Sequence, residues 1–160
     1  MKRYIAVPFI IMSIFLSSCK EPAALPDRNA EKAEVEMAIR NSIGWAKDKD
    51  LALLYSVIAK DSAFLQVEPR DRVVRGFDEF RLAEPFWMNE NFRAVRYDIR
   101  DLTINFSRSY DVAWFYCILD DINEWMGEPA NWENTRWTGV LEKRDGKWVL
   151  VQQHFSFARE

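Results

Sequence analysis

Apolar residues recur every three or four positions where the predicted domain begins. From Ala30 onward they follow the i, i+3, i+4 spacing of an amphipathic helix, with inward positions at Val35, Ala38, Ile39, Ser42, Ile43 and Ala46. Asp50 is a suitable N-cap for a second, short helix that extends to Tyr55 or Ile58. A third helix is predicted over Phe77–Met88. The first half of the chain is therefore predicted to be mainly helical.

Predicted strands begin at Ala63, and β-forming residues dominate the chain after Asn91. A short strand is predicted over Ala63–Val67, and Val73-Val74 favours another. The long predicted strands are Phe92–Phe106, Asp111–Asp121, Arg136–Lys143 and Lys147–Phe157. The polar segment Trp125–Asn134 is predicted to be a loop, and Asp145-Gly146 is a strong hairpin signal. Helices followed by consecutive strands indicate an α+β domain with helices packed against an antiparallel sheet.

A basic start and a short apolar run precede this domain. Lys2 and Arg3 are followed by the apolar segment Ile5–Leu16 and then by Ser17-Ser18-Cys19. The run is too short for a transmembrane span of about 20 residues and is typical of a secretory signal. Its Leu-Ser-Ser-Cys ending resembles the lipobox of bacterial lipoproteins, which implies lipidation of Cys19. The alternative is an ordinary signal peptide with an incidental cysteine.

These features predict three segments: a signal peptide over 1–18, a tether over 19–29 and a domain over 30–160. The lipid on Cys19 would hold the domain to a membrane of the bacterial cell envelope, outside the cytoplasm. Without residues 1–18 the net charge changes from −3 to −5, which argues against a nucleic-acid-binding surface. One histidine and one remaining cysteine, Cys117, make a zinc site improbable. We expect neither a metal nor a cofactor.

The closing block resembles the SnoaL-like branch of the NTF2-like superfamily. The resemblance rests on Arg136-x-Thr138-x-Val140, Asp145-Gly146-Lys147-Trp148 and His154-x-Ser156, with support from Asp61–Val67 and the Gly76-Phe77 step. It covers roughly residues 30 to 158 and implies an NTF2-like cone, in which a curved antiparallel sheet wraps around the N-terminal helices. The resemblance also implies a cavity between sheet and helices, and frequent homodimers.

Strand alternation groups the polar residues that are candidates for a site. By the resemblance, the faces that hold Arg136 with Thr138, and His154 with Ser156, would look into the cone. We therefore predict a ligand pocket of Trp114, Tyr116, Arg136, Thr138 and Ser156, with His154 and Asp120 as catalytic candidates.

Each candidate also has a structural explanation. The imidazole of His154 suits general acid or base catalysis, but it could equally be hydrogen-bonded within the sheet. Arg136 could bind an oxyanion or form a salt bridge with an acidic neighbour. The acidic run Asp120-Asp121-x-x-Glu124 is more typical of a strand that ends in a solvated loop than of a cation site. Trp125 and Trp132 could line a pocket rim or an interface.

Three functions are compatible with these observations. The first is a lipid-anchored domain that binds a small, partly apolar molecule in its cone. The second is an isomerase or dehydratase that transfers protons through His154 and an acidic partner. The third is a non-catalytic dimerisation or assembly module whose pocket is filled by side chains.

Overall fold

Helices form the first layer of the domain in the computed structural model, which describes residues 27–158. Helix α1 spans Arg28–Gly44 and continues into a 3₁₀ turn over Trp45–Lys47; α2 spans Leu51–Ser56, α3 Gly76–Arg81 and α4 Glu84–Trp87. Asp50 caps α2 as predicted, because its side chain accepts a hydrogen bond from the Leu53 N–H. Pro85 lies in the first turn of α4, so the predicted third helix is in fact two short ones.

Within residues 27–158, seven strands form one curved sheet that wraps around α1. Their ranges are β1 Leu65–Val67, β2 Val73–Arg75, β3 Phe92–Phe106, β4 Val112–Trp125, β5 Glu128–Pro129, β6 Trp132–Arg144 and β7 Lys147–Ser156. The strand order is β2-β1-β7-β6-β4-β3, with β5 paired to β4. The pairs are antiparallel except β1 with β7, which is parallel. The sheet is therefore mixed, although the prediction was antiparallel throughout.

The predicted α+β cone is confirmed, and so is its closing hairpin. Asp145 and Gly146 both have positive φ angles, of 50° and 77°, as a two-residue turn between β6 and β7 requires. The predicted loop Trp125–Asn134 is wrong. β4 extends to Trp125, a tight turn at Met126-Gly127 follows, and β6 begins at Trp132.

The core lies between α1 and the inner face of the sheet. Val35, Ala38 and Ile39 of α1 are buried, as the helical spacing predicts. The hairpin docks on the same helix, where the Trp148 indole Nε1–H donates to Glu31 at 2.8 Å and Lys143 binds the same carboxylate at 2.6 Å. Together these contacts close one end of the cone.

The predicted signal peptide, Cys19 and residues 19–26 of the tether lie outside the described residues. Helix α1 begins at Arg28, two residues before its predicted start. Within residues 27–158, none of the helices has the length and apolar content needed to cross a membrane.

Candidate functional site

A cavity of about 320 Å³ lies at the end of the cone opposite to the Glu31–Trp148 contact. Ser42 and Ile43 from the last turn of α1 form part of its wall, together with Trp45 and Ala46 from the 3₁₀ turn. Phe86 is half exposed at the opening. The volume falls in the range of small-molecule sites, roughly 300 to 1,000 Å³.

Aromatic side chains are the largest group in the wall. Seven of the lining residues are aromatic: Trp45, Phe80, Phe86, Trp87, Phe92, Trp132 and Phe155. They support one another through edge contacts, with ring centroids 5.3 Å apart for Trp45 and Trp87 and for Trp132 and Phe155. Such rings give a ligand a large apolar surface and flat faces for stacking.

Asp121 is the ionisable residue of this wall. It lies on β4, in phase with the inward residues Phe115, Cys117 and Leu119, so its carboxyl group is carried to the inner face. Burial raises the pKa of Asp121, and a hydrogen bond with the Asn123 side chain lowers it by a smaller amount. A carboxyl group of this kind can hold a proton nearer to neutral pH than an exposed one, which suits general acid or base chemistry.

Three amide side chains, Gln66, Asn123 and Gln153, supply most of the other polar groups of the wall. Gln153 Nε2 donates to Gln66 Oε1 at 2.7 Å, across the parallel pair β7 and β1. Gln66 Nε2 in turn donates to Glu68 at 3.2 Å. The oxygens Gln153 Oε1 and Asn123 Oδ1 are buried and have no hydrogen-bond partner among the described residues. Buried polar groups are usually paired, so two unpaired acceptors at a cavity wall indicate a place for a ligand or water.

The residues predicted for the pocket lie together, but on the outer face of the sheet. Cross-strand pairing sets Tyr116 beside Thr138 and Thr138 beside His154, and Arg136 is paired with Ser156. Trp114 and Tyr116 are 46% and 40% exposed. None of the seven predicted site residues lines the cavity: Trp114, Tyr116, Asp120, Arg136, Thr138, His154 and Ser156. The prediction that this face looks into the cone is therefore wrong.

A β-bulge in β7 explains part of this error. The pairing passes from Val140↔Gln152 to Leu141↔Leu150, which leaves Val151 as an extra residue. Strict alternation would keep Trp148 and His154 on one face. The extra residue changes the phase, so Trp148 and Leu150 face inward and His154 faces outward.

Two of the outer polar residues, Asp120 and Arg136, have hydrogen-bond partners within the sheet and the chain beside it. Asp120 accepts hydrogen bonds from the Asn134 backbone N–H at 2.7 Å and from Arg100 at 3.0 Å. These two partners lower the pKa of Asp120, the first more than the second. Arg136 donates to the carbonyl oxygen of Phe157 at 2.9 Å rather than to an acidic side chain.

Sequence reasoning missed Asp121, Asn123, Gln66 and Gln153 as site residues. One signal for Asp121 was present, since it continues an inward face that is otherwise apolar: Ala113, Phe115, Cys117 and Leu119. The predicted role of Trp132 at a pocket rim is supported by its place in the wall. Cys117 is buried, and burial raises the pKa of its thiol to about 12, which disfavours the reactive thiolate.

No cluster of three or more His, Cys, Asp or Glu side chains within residues 27–158 could hold a metal ion.

Comparison with family models gives a match to the SnoaL-like domain over residues 35–160. No curated protein sequence matches the chain.

Solved structures with the same fold are numerous and distant in sequence. A candidate dehydratase of the NTF2-like family from Streptomyces avermitilis is 16% identical and covers 84% of this chain and 100% of its own, with a TM-score of 0.72. A candidate scytalone dehydratase from Novosphingobium aromaticivorans is 13% identical and covers 82% and 86%, with a TM-score of 0.69. A candidate Ca/calmodulin-dependent kinase II association domain from Exiguobacterium sibiricum is 9% identical and covers 88% and 98%, with a TM-score of 0.64.

Proposed function

Because the chain belongs to the SnoaL-like domain family, we propose that it binds a small, partly apolar ligand in the cavity of its cone. The observation that carries the proposal is the aromatic cavity of about 320 Å³ with Asp121 and two unpaired amide oxygens at its wall. A cavity filled by side chains would favour a purely structural role; this one retains room for roughly ten water molecules.

Blocking the cavity tests this proposal. Ala46→Phe would place a ring in the cavity, whereas Ala33→Phe would add the same ring to an exposed position of α1. Fragments from a small library that bind the wild type, as measured by ligand-observed NMR, should no longer bind Ala46→Phe and should still bind Ala33→Phe. Equal binding by both folded variants would contradict a ligand site in this cavity.

We also propose that the domain is held at a membrane by a lipid on Cys19. The support is the basic start, the apolar run and the Leu-Ser-Ser-Cys ending of the first nineteen residues. Mass spectrometry of the mature N-terminus should find an acylated Cys19, and Cys19→Ser should leave the protein unacylated. An unmodified N-terminus at another residue would contradict the anchor.

Proton-transfer catalysis is the second candidate, and Asp121 is the observation that favours it. We infer that an isomerase or dehydratase activity would use Asp121 rather than His154, since the imidazole lies on the outer face. Two structural neighbours are named as candidate dehydratases, which makes this reaction class the first to test. On a panel of β-hydroxy and β,γ-unsaturated carbonyl compounds, absorbance would report formation of the conjugated product. Activity should survive in His154→Ala and disappear in Asp121→Asn.

The exposed aromatic residues of the outer face favour a homodimer. Trp114 and Tyr116 lie in phase on β4 and are both exposed, and exposed apolar groups that cluster commonly mark protein interfaces. We propose that two copies pair through this face. Light scattering should give the mass of a dimer for the wild type and of a monomer for a Trp114→Ser, Tyr116→Ser variant. A monomeric wild type at micromolar concentration would contradict the proposal.

A further inference from the structure

Hydrogen-bond acceptors dominate the polar part of the cavity wall. Gln153 is 5% exposed and Asn123 is 7% exposed, and in each the amide oxygen is the atom without a partner. An amide oxygen can only accept a hydrogen bond. Asp121, when ionised, adds two further acceptor oxygens.

The orientation of Gln153 is fixed by a chain of hydrogen bonds that begins at Glu68. An ionised carboxylate only accepts, so the Gln66 group that faces Glu68 must be its NH₂. The opposite side of the Gln66 amide is then its oxygen, which must accept from the NH₂ of Gln153. Because the NH₂ of Gln153 is used in this chain of hydrogen bonds, its oxygen Oε1 is the free group at the wall.

The rest of the wall has the same electrostatic sign. The faces of aromatic rings carry the negative part of the ring quadrupole and attract cations. Among the residues that the structure describes, no lysine, arginine or histidine lines the cavity to balance them. Amide oxygens, a carboxyl group and aromatic faces therefore all favour a ligand with a positive, donor-bearing group.

We propose, on the basis of the ligand-binding function above, that the cavity selects a small organic cation: a protonated primary or secondary amine with an aryl or alkyl body. The ammonium N–H groups would donate to Asp121 and to the free oxygens of Gln153 and Asn123. The apolar body would pack against the rings, with Trp87 and Trp132 among them. A carboxylate ligand would meet repulsion at Asp121 and at the free oxygens of Gln153 and Asn123.

Matched probes of one shape test the charge preference. Benzylamine and 2-phenylethylamine would each be compared with the corresponding alcohol and carboxylate by calorimetry at pH 7.5, where the amines are protonated. The amine should bind at least about tenfold more tightly than its alcohol, as expected for a charge-assisted hydrogen bond in a desolvated site. The carboxylate should show the weakest binding.

Substitutions in the cavity wall test which residues give the preference for amines. Asp121→Asn and Gln153→Met should each lower amine affinity by at least about tenfold and change alcohol affinity little. Gln152→Met is the matched control, because Gln152 is the neighbouring residue on β7 and lies outside the cavity wall. It should bind the amine as the wild type does.

The outcomes separate the two proposals. Alcohols that bind as tightly as amines, or carboxylates that bind more tightly, would overturn the cation preference and leave the cavity as a ligand site. Amines that fail to bind would also overturn it, whatever the fragment library shows. If no fragment binds the wild type at all, the proposed ligand-binding function itself would be contradicted.

Discussion

The two faces of β4, β6 and β7 carry polar groups of opposite character. On the outer face, Asp120 and Arg136 have hydrogen-bond partners and stand at the surface. On the inner face, Asp121 shares the cavity wall with aromatic rings, and two buried amide oxygens have no partner within residues 27–158. The outer face has the greater variety of reactive groups, yet these groups stand where water can complete their hydrogen bonds. Buried polar groups that lack hydrogen-bond partners are a better indicator of a binding site than a variety of reactive groups at the surface.

Substitution of two tryptophans should give the largest difference in stability between the two faces of the sheet. Trp148 is 4% exposed and donates to Glu31, whereas Trp114 is 46% exposed. Trp148→Ala should lower the free energy of unfolding by about 3–5 kcal/mol, the usual loss for a buried aromatic ring. Trp114→Ala should lower it by less than about 1 kcal/mol in the monomer. Denaturant unfolding measures both, and similar losses would contradict the assignment of the faces.

A methyl group added to the inner face should have the next largest effect. A Cβ atom on Gly139 would lie 2.5 Å from a ring carbon of Phe115 and 2.8 Å from the Gln152 carbonyl oxygen. Gly139→Ala should therefore destabilise the domain by about 1–3 kcal/mol through overpacking. Thr138→Ala, at the adjacent outward position, should cost less than about 1 kcal/mol. A neutral Gly139→Ala would show that Phe115 can move aside.

Local signals in the sequence predicted most of the architecture. The spacing of Val35, Ala38 and Ile39 located α1, and Asp145-Gly146 located the last hairpin. Alternation also predicted correctly that Tyr116 and Asp120 share a face, as do Arg136 and Thr138. These features depend on neighbours within a few residues, which is the range over which sequence patterns are informative.

The errors concern contacts between distant residues. Alternation does not show which face of a strand packs on the helices. Strict alternation along β7 would also place Trp148 and His154 on the same face, but the extra residue Val151 puts them on opposite faces. The parallel pairing of β1 with β7 joins residues about 87 positions apart, such as Gln66 and Gln153. The cavity depends on how seven aromatic rings pack, and no local pattern encodes that volume.

Adjacent carboxyl groups should respond to pH in opposite directions. The pKa of Asp121 is raised in the folded protein, so its contribution to stability is complete at acidic pH and is lost as the pH rises through that raised pKa. Asp121→Asn should then be more stable than the wild type at pH 7.5, by up to about 1 kcal/mol. The difference should disappear in acid, where the wild-type carboxyl group is protonated.

Asp120 is the matched control for this titration. Its pKa is lowered, so its contribution is present at neutral pH and is lost as the pH falls through that lowered pKa. Asp120→Asn should be slightly less stable than the wild type at pH 7.5, by under about 1 kcal/mol. Thermal unfolding of the three proteins between pH 3 and 8 measures both trends. Shifts of the same sign would contradict the opposite environments of the two groups.

The smallest effects are expected for the outer residues first proposed for the site. His154→Ala and Arg136→Ala should change the free energy of unfolding by about 0.5 kcal/mol or less, as most surface substitutions do. Fragment binding in the cavity should be unchanged, because neither side chain lines it. A weaker affinity for cavity ligands in either folded variant would extend the site to the outer face.

The bond between Glu31 and Trp148 also has a consequence for the order of folding. It joins residues 117 positions apart, and the neighbouring Lys143 contact spans 112. The first helix therefore finds its final partners only when the last hairpin has been synthesised. High contact order slows folding, because loop closure comes before the stabilising contacts form. The nascent domain accordingly stays open until β7 is available, and truncation before Lys147 should prevent the domain from closing at all.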